Sequence, residues 1–347
     1  MADAAQTSFD FLATDASHFP QRLEPVQEMI RFIRMGPADY RDASFLDDRI
    51  LTPQTQGGWV QHGDVERALA KAKPGLPLHF IFHAGHVGST LISRLLDEAG
   101  ALPLREPQTL RTLAEMNDSA GAADSLWSDA RLDAIFATHI ALWRRGFGGE
   151  RAAILKATSS AARVGEKLLS LAPNARALCL NLKPEPYLAT LLAGANSWLD
   201  LRGMGAERMR RMTRMLGDAP GHLHALSLGE LAAMTWLCET LTQRRLIANT
   251  GARTLAIDFD AFLGDVSGSM NRIAAHFMLG ADADFGSRAA ASGALSRYSK
   301  SPDHAYSPQA RAQILAETRA AHGGEIRRGL AWLEAVGARH GAAAAAL

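Results

Sequence analysis

Residues 84–91, AGHVGSTL, place Gly85 and Gly88 ahead of two consecutive hydroxyls, Ser89 and Thr90. Glycines let a backbone approach an anion closely, and the free amides and positive end at a helix start favour a phosphate or a sulfate. The apolar run LHFIFH precedes this segment and LISRLLDEAGA follows it, with apolar residues at 91, 92, 95, 96 and 99. The pattern reads strand, tight loop, amphipathic helix. Ligands of open α/β sheets bind beyond the carboxyl ends of their strands, where this loop falls. An ordinary strand-to-helix turn with a Ser/Thr cap is the plainer alternative. A nucleotide triphosphatase normally shows GxxxxGK[ST], but the residue before Ser89 is Gly88. The lysine that would meet the β- and γ-phosphates is missing, which weakens an ATPase or kinase reading and leaves the phosphate cradle standing. Gly88→Val is expected to block close backbone approach and lower nucleotide affinity while preserving most of the fold.

Other reactive side chains are less informative. His79, His83 and His86 have HxxxHxxH spacing, but a strand-to-loop setting does not give the i,i+4 geometry of a helical zinc motif, so no metal is expected. Cys179 sits in an apolar strand pattern and Cys238 in a helical one, which suits packing rather than nucleophilic chemistry. Arg202, Arg208, Arg210, Arg211 and Arg214 crowd a Met-rich segment. They read either as a mobile anion-binding lid or as the solvated face of an amphipathic helix.

The elements around the loop alternate. Strands are expected at LHFIFH, at AAILK ending on Lys156, over residues 175–182 and over residues 253–259. Helices are expected over residues 132–143, 161–171, from about 187, over 228–247 and over 270–278. This alternation predicts an α/β fold, a mostly parallel central sheet with helices on both faces. Residues 1–75, polar and broken by prolines, read as an N-terminal helical extension with helices over 25–35 and 65–72. Residues 76–340 read as the main domain and 341–347, GAAAAAL, as a low-complexity tail. The 347 residues are 47% hydrophobic and 21% charged, which excludes a disordered or fibrous chain. A net charge of +1 provides no global field for nucleic acid or an anionic membrane. With two cysteines, an acidic N-terminus and no continuous apolar span, a soluble cytoplasmic protein is expected.

The loop and helix HAGHVGSTLISRLL are similar to GMPRSGTTLLSRLL of the P-loop sulfotransferase superfamily, particularly its bacterial branch. Further blocks follow in order. Arg105-Glu106-Pro107 comes after the first helix, Leu155-Lys156-Ala157-Thr158 is like the family's LKSP, and APNARALCLNLKPEPYLATLL is like FPDAKFVHLVRDPRDVALSLL. Arg297-Tyr298-Ser299-Lys300 looks like the end of bacterial members. The resemblance implies sulfuryl transfer from 3′-phosphoadenosine 5′-phosphosulfate, without a catalytic metal, to a small-molecule or peptide acceptor. It implies that Gly85, His86, Val87, Gly88, Ser89 and Thr90 hold the 5′ side, with His86 at the place of the usual Lys/Arg. Lys156 would supply positive charge, and Glu106 would take the acceptor's proton or pair with Arg105 or Arg111; His83 is another possible base. The family's 3′-phosphate arginine is Leu182 here and its serine is Thr190, so Lys183, Arg297 or Lys300 would compensate. A small-molecule kinase using ATP and Mg²⁺, or a degenerate P-loop protein binding a nucleotide or a partner, are the alternatives.

Overall fold

Strands buried on both faces of a parallel sheet carry unbroken apolar runs, and a computed structural model, describing residues 9–298, 301–305 and 307–347, shows where those runs lie. The chain begins with an antiparallel sheet, β1 (His18–Glu24), β2 (Met29–Arg34) and β3 (Gly57–Gln61), in the order β1-β2-β3. Helix α1 (Pro37–Asp42) follows β2, and α2 (His62–Leu69) follows β3. Strands β4 (Leu78–His83), β5 (Ala101–Arg105), β6 (Ala152–Lys156), β7 (Ala177–Asn181) and β8 (Thr254–Asp258) form a parallel sheet in the order β5-β6-β4-β7-β8. Between them run α3 (Ser89–Asp97), α4 (Gln108–Asn117), α5 (Asp129–Trp143), α6 (Gly165–Leu171), α7 (Pro184–Leu192), α8 (Ala195–Gly203), α9 (Gly205–Leu216) and the long α10 (Leu228–Thr250). After β8 come α11 (Phe259–Gly264), α12 (Val266–His276), α13 (Phe285–Ala291) and α14 (Pro308–Arg339). The expected α/β architecture with helices on both faces is therefore present.

One apolar layer packs Ile81, Leu91, Ile92 and Leu95 against α10 and α12; the other packs Phe80, Phe82, Leu102 and Leu104 against α4, α5 and the N-terminal sheet. Phe19, Ile30 and Phe32 of that sheet are buried in the same cluster as the central strands. The helix expected over residues 25–35 is thus corrected to the strand β2. Val26, Met29, Ile30 and Ile33 fit a helical repeat, but pairing of Leu23 with Ile30 and of Ile30 with Val60 puts Ile30 and Phe32 into the core. Tertiary pairing wins over a short, ambiguous period. The segment read as a tail also packs, with Ala343 and Ala346 buried among residues of α10 and α14. Among the described residues, no helix is long and apolar enough to cross a membrane.

Arg105, at the end of β5, is fully buried and joins three parts of the chain. Its Nε donates to Ser93 Oγ at 3.0 Å, and Nη1 donates to the carbonyls of Tyr40, Arg41 and Ala43 at 3.2, 2.9 and 3.1 Å. Nη2 forms an ion pair with Asp97 of α3. Removing one partner of a buried pair leaves an uncompensated charge, so Arg105→Leu should lower the unfolding free energy by ~3–5 kcal/mol in urea titration. An unchanged midpoint would show that the N-terminal unit is held by apolar packing alone.

Candidate functional site

The sheet order makes β4 the strand from which the chain departs to β5 and β6 on one side and later to β7 and β8 on the other. The crevice beyond the carboxyl end of β4 is the topological switch point, where open α/β sheets take ligands. The loop 84–88 stands there, between β4 and α3. Its backbone is left-handed at Gly85 (φ 91°), His86 (φ 54°) and Gly88 (φ 72°). Residues Ser89 and Thr90 open the helix and are buried, and Thr90 Oγ1 has no hydrogen-bond partner among the described residues. The Val87 side chain is buried in the core, leaving only its backbone for a ligand.

Two side chains fix the entry of the loop. His83 Nδ1 accepts from the Gly85 N–H at 3.0 Å while Nε2 is 2.7 Å from the Ala157 carbonyl, so Nε2 carries the proton. The ring bridges the ends of β4 and β6 with both nitrogens committed, which argues against His83 as a base. Tyr187 of α7, fully buried, donates its hydroxyl to the Ala84 carbonyl. At the other end of the loop, Phe259 presses on Gly88. A Cβ on Gly88 would lie 1.9 Å from Phe259 Cε2, so the expectation that Gly88→Val spares the fold is corrected.

Beside the cradle, β5 and β6 bring Glu106 and Lys156 together. Glu106 N–H donates to the Lys156 carbonyl at 2.7 Å, and the Lys156 ammonium forms an ion pair with Glu106 Oε1. The Lys156 side chain is fully buried and that of Glu106 nearly so. Glu106 also has a left-handed φ of 52°, unusual for a residue with a side chain. Neither expected surface partner of Glu106 takes it, because Arg105 turns inward to Asp97 and Arg111 pairs with Glu115 at 3.3 Å. On the β7 side, Leu182 is buried and its carbonyl accepts from Trp236 Nε1 at 2.8 Å. The Thr190 hydroxyl donates to the Pro186 carbonyl at 2.7 Å, inside its own helix. Lys183 is exposed at the N-cap of α7. Lys300 lies outside the described residues, and Arg297 is described only as part of the short strand Arg297–Tyr298.

The arginine-rich segment is neither lid nor uniformly solvated face. Arg208 and Arg211 of α9 point inward to Glu239, which is fully buried in α10. Arg211 Nη1 is 3.1 Å from Glu239 Oε2, its Nε is 3.0 Å from Glu207 Oε1, and Arg208 reaches Asp200 at 2.8 Å. Burial raises the Glu207 carboxyl above its ordinary range. Arg202, Arg210 and Arg214 are exposed. His79 stacks on Phe277 with ring centroids 5.2 Å apart and is pushed down to about 4 by burial. Cys179 and Cys238 are buried thiols pushed up to about 12. Among the described residues, no group of three His, Cys, Asp or Glu side chains is arranged to hold a metal ion.

The roles of Tyr187, Phe259 and Glu239 were not read from the sequence. Glu239, a single acid within an apolar helix opposite an arginine-rich one, was the available signal.

The two loop glycines should respond differently to substitution. A Cβ on Gly85 would meet Ser159 Cβ at 3.6 Å and the Tyr187 hydroxyl at 3.8 Å, ordinary contacts, so Gly85→Ala carries mainly the left-handed strain of ~1 kcal/mol. Gly88→Val adds the collision with Phe259 and should cost more than ~3 kcal/mol. Thermal melts of both variants check the order, and equal losses would remove Phe259 packing as the constraint.

No family model and no curated protein matches the sequence. Solved structures do align with it. The sulfotransferase domain from the curacin biosynthetic pathway is 13% identical over 72% of this chain and 98% of its own, with a TM-score of 0.40. Sulfotransferase STF9 from Mycobacterium avium is 16% identical over 75% of this chain and 79% of its own, with a TM-score of 0.39. A sulfotransferase from Alicyclobacillus acidocaldarius is 14% identical over 76% of this chain and 96% of its own, with a TM-score of 0.36.

Proposed function

We propose that the protein is a sulfotransferase that moves a sulfuryl group from 3′-phosphoadenosine 5′-phosphosulfate to a hydroxyl or amine on a small-molecule or peptide acceptor. The observation that carries this reading is one sheet edge bearing both a lysine-free anion cradle and, on the adjacent strand ends, a buried carboxylate paired with a lysine. The amides of residues 86–90 and the Ser89 hydroxyl suit the 5′-phosphosulfate, and the orphaned Thr90 Oγ1 fits an oxygen-rich ligand. His86 extends the cradle within its left-handed turn. Transfer breaks the S–O bond to the 5′-phosphate, forms the bond from sulfur to the acceptor, and sends the acceptor's proton to Glu106. Lys156 holds Glu106 as an aimed carboxylate, a change from the expected contact with the donor. Leu182 and Thr190 do not fit a 3′-phosphate, because one is core and the other has spent its hydroxyl; Lys183 is the exposed cation beside them.

Calorimetry with adenosine 3′,5′-bisphosphate in the presence of EDTA should show binding, and ATP with Mg²⁺ should bind more weakly. The reverse preference would favour a kinase. Glu106→Gln should retain nucleotide affinity and lose ~10²–10⁴-fold in single-turnover sulfate transfer. Normal transfer by the folded variant would remove Glu106 from the chemistry.

A further inference from the structure

The antiparallel sheet β1-β2-β3 has two outer strands, and they are built differently. Strand β1 carries Pro20, a bulge between Pro20 and Arg22, and the charged side chains of Arg22 and Glu24, and α4 packs against it. Proline, bulges and charge are common means of keeping a sheet edge from pairing with another chain. Strand β3, GGWVQ, has none of them, and Gly57, Gly58, Trp59 and Gln61 are exposed. The hydrogen-bond phase of β3 tells which of its backbone groups are open. The His62 N–H donates to the Glu28 carbonyl at 2.8 Å and the Arg34 N–H to the Gln56 carbonyl at 3.0 Å, and these bonds flank the Met29–Gln61 and Ile33–Gly57 pairs. Bonded and non-bonded pairs alternate along an antiparallel ladder. Gly58 and Val60 therefore bond to β2, while the N–H and C=O groups of Gly57, Trp59 and Gln61 face away from it. Among the described residues, no other segment bonds to these groups.

We propose that β3 pairs with β3 of a second copy of this chain, antiparallel and centred on Trp59, to form a two-fold dimer with one continuous sheet. The phase suits it. Trp59 of one chain exchanges both its bonds with Trp59 of the partner subunit, and Gly57 of each chain does so with Gln61 of the other, so every open donor and acceptor is used. Electrostatics favour a second copy over a charged partner. No charged side chain lies on β3, so the strand meets its own copy without like charges opposite one another. Arg31 pairs with Trp59 from the strand behind, which sets the two copies of Arg31 three strand spacings apart, ~14 Å, beyond the ~8 Å screening length at physiological salt. The Trp59 side chain is 45% exposed, and two of them side by side bury apolar surface that each leaves in water.

The test is sedimentation equilibrium of the full chain, in which the wild type should show a concentration-dependent monomer–dimer equilibrium. Trp59→Lys and Trp59→Glu each place two like charges at the two-fold axis and should weaken association at least ~10-fold. An equimolar mixture of the two variants should regain it, because the ammonium of one chain then faces the carboxylate of the other. Hydrogen exchange on the wild type needs no variant. The Trp59 and Gln61 amides should gain protection as protein concentration rises, while those of Gly58 and Val60 stay protected throughout. A wild type that stays monomeric, folded Trp59 variants that dimerise as tightly as the wild type, a mixture of them that gains nothing, or a Trp59 amide that exchanges freely in the dimer overturns the proposal.

Discussion

Arg105 brings a full positive charge into the interior where three separate segments meet, and its contacts lie on two pieces of the chain besides its own strand. Asp97 and Ser93 belong to the helix that starts at the anion cradle; the carbonyls of residues 40, 41 and 43 belong to the end of α1. The side chain is fully buried, so each N–H must find an acceptor or cost the desolvation of an unpaired polar group. The requirement is directional. A planar guanidinium fixes the separation between β5, α3 and the N-terminal unit more narrowly than apolar contact would. Glu106 follows Arg105 in sequence, so the placement of the carboxylate is inherited from this knot.

The cradle is stiffened in a similar way, by groups that spend their hydrogen bonds on it. His83 and Tyr187 hold the backbone before the first glycine turn, and Phe259 occupies the space a side chain at Gly88 would need. A loop with three left-handed residues would otherwise sample many conformations, and ordering it at the moment of binding would subtract from affinity. Here the ordering is done during folding. The consequence is that changes at the glycines report on stability as well as on binding.

Three strands of the parallel sheet, LHFIFH, AAILK and ALCLN, were legible as apolar runs because they are buried almost throughout, and the strand ending in Asp258 was legible from its apolar residues although Ala256 is exposed. The cradle was legible as chain punctuation between a strand and a helix. The N-terminal sheet was not, since apolar residues at 26, 29, 30 and 33 satisfy a helical period and only pairing with β1 and β3 decides otherwise. Strand β5 was hidden by Pro103 and by Arg105, a charge that no local pattern marks as buried. The Lys156–Glu106 pairing was equally invisible, because its partners are 50 residues apart and meet only through strand order.

The arginines of α9 show why spacing alone misjudges a charged helix. A row of arginines beside methionines reads as a wet face and a dry one, yet Arg208 and Arg211 share the dry face with Met212. They can do so because Glu239 and Glu207 arrive from α10 and from one turn away to neutralise them. Such an arrangement gains little over an apolar interface of the same volume, but separating its members is costly, since each charge would be left in a poorly polarisable interior. Helix α9 is thereby tied to α10, which itself supports the end of β7 through Trp236 and Gln243. Opening α9 as a lid would strip the counter-charges from Glu239, a penalty of several kcal/mol that no contact on its exposed face offsets. The mobile-lid reading of this segment therefore fails on electrostatic grounds.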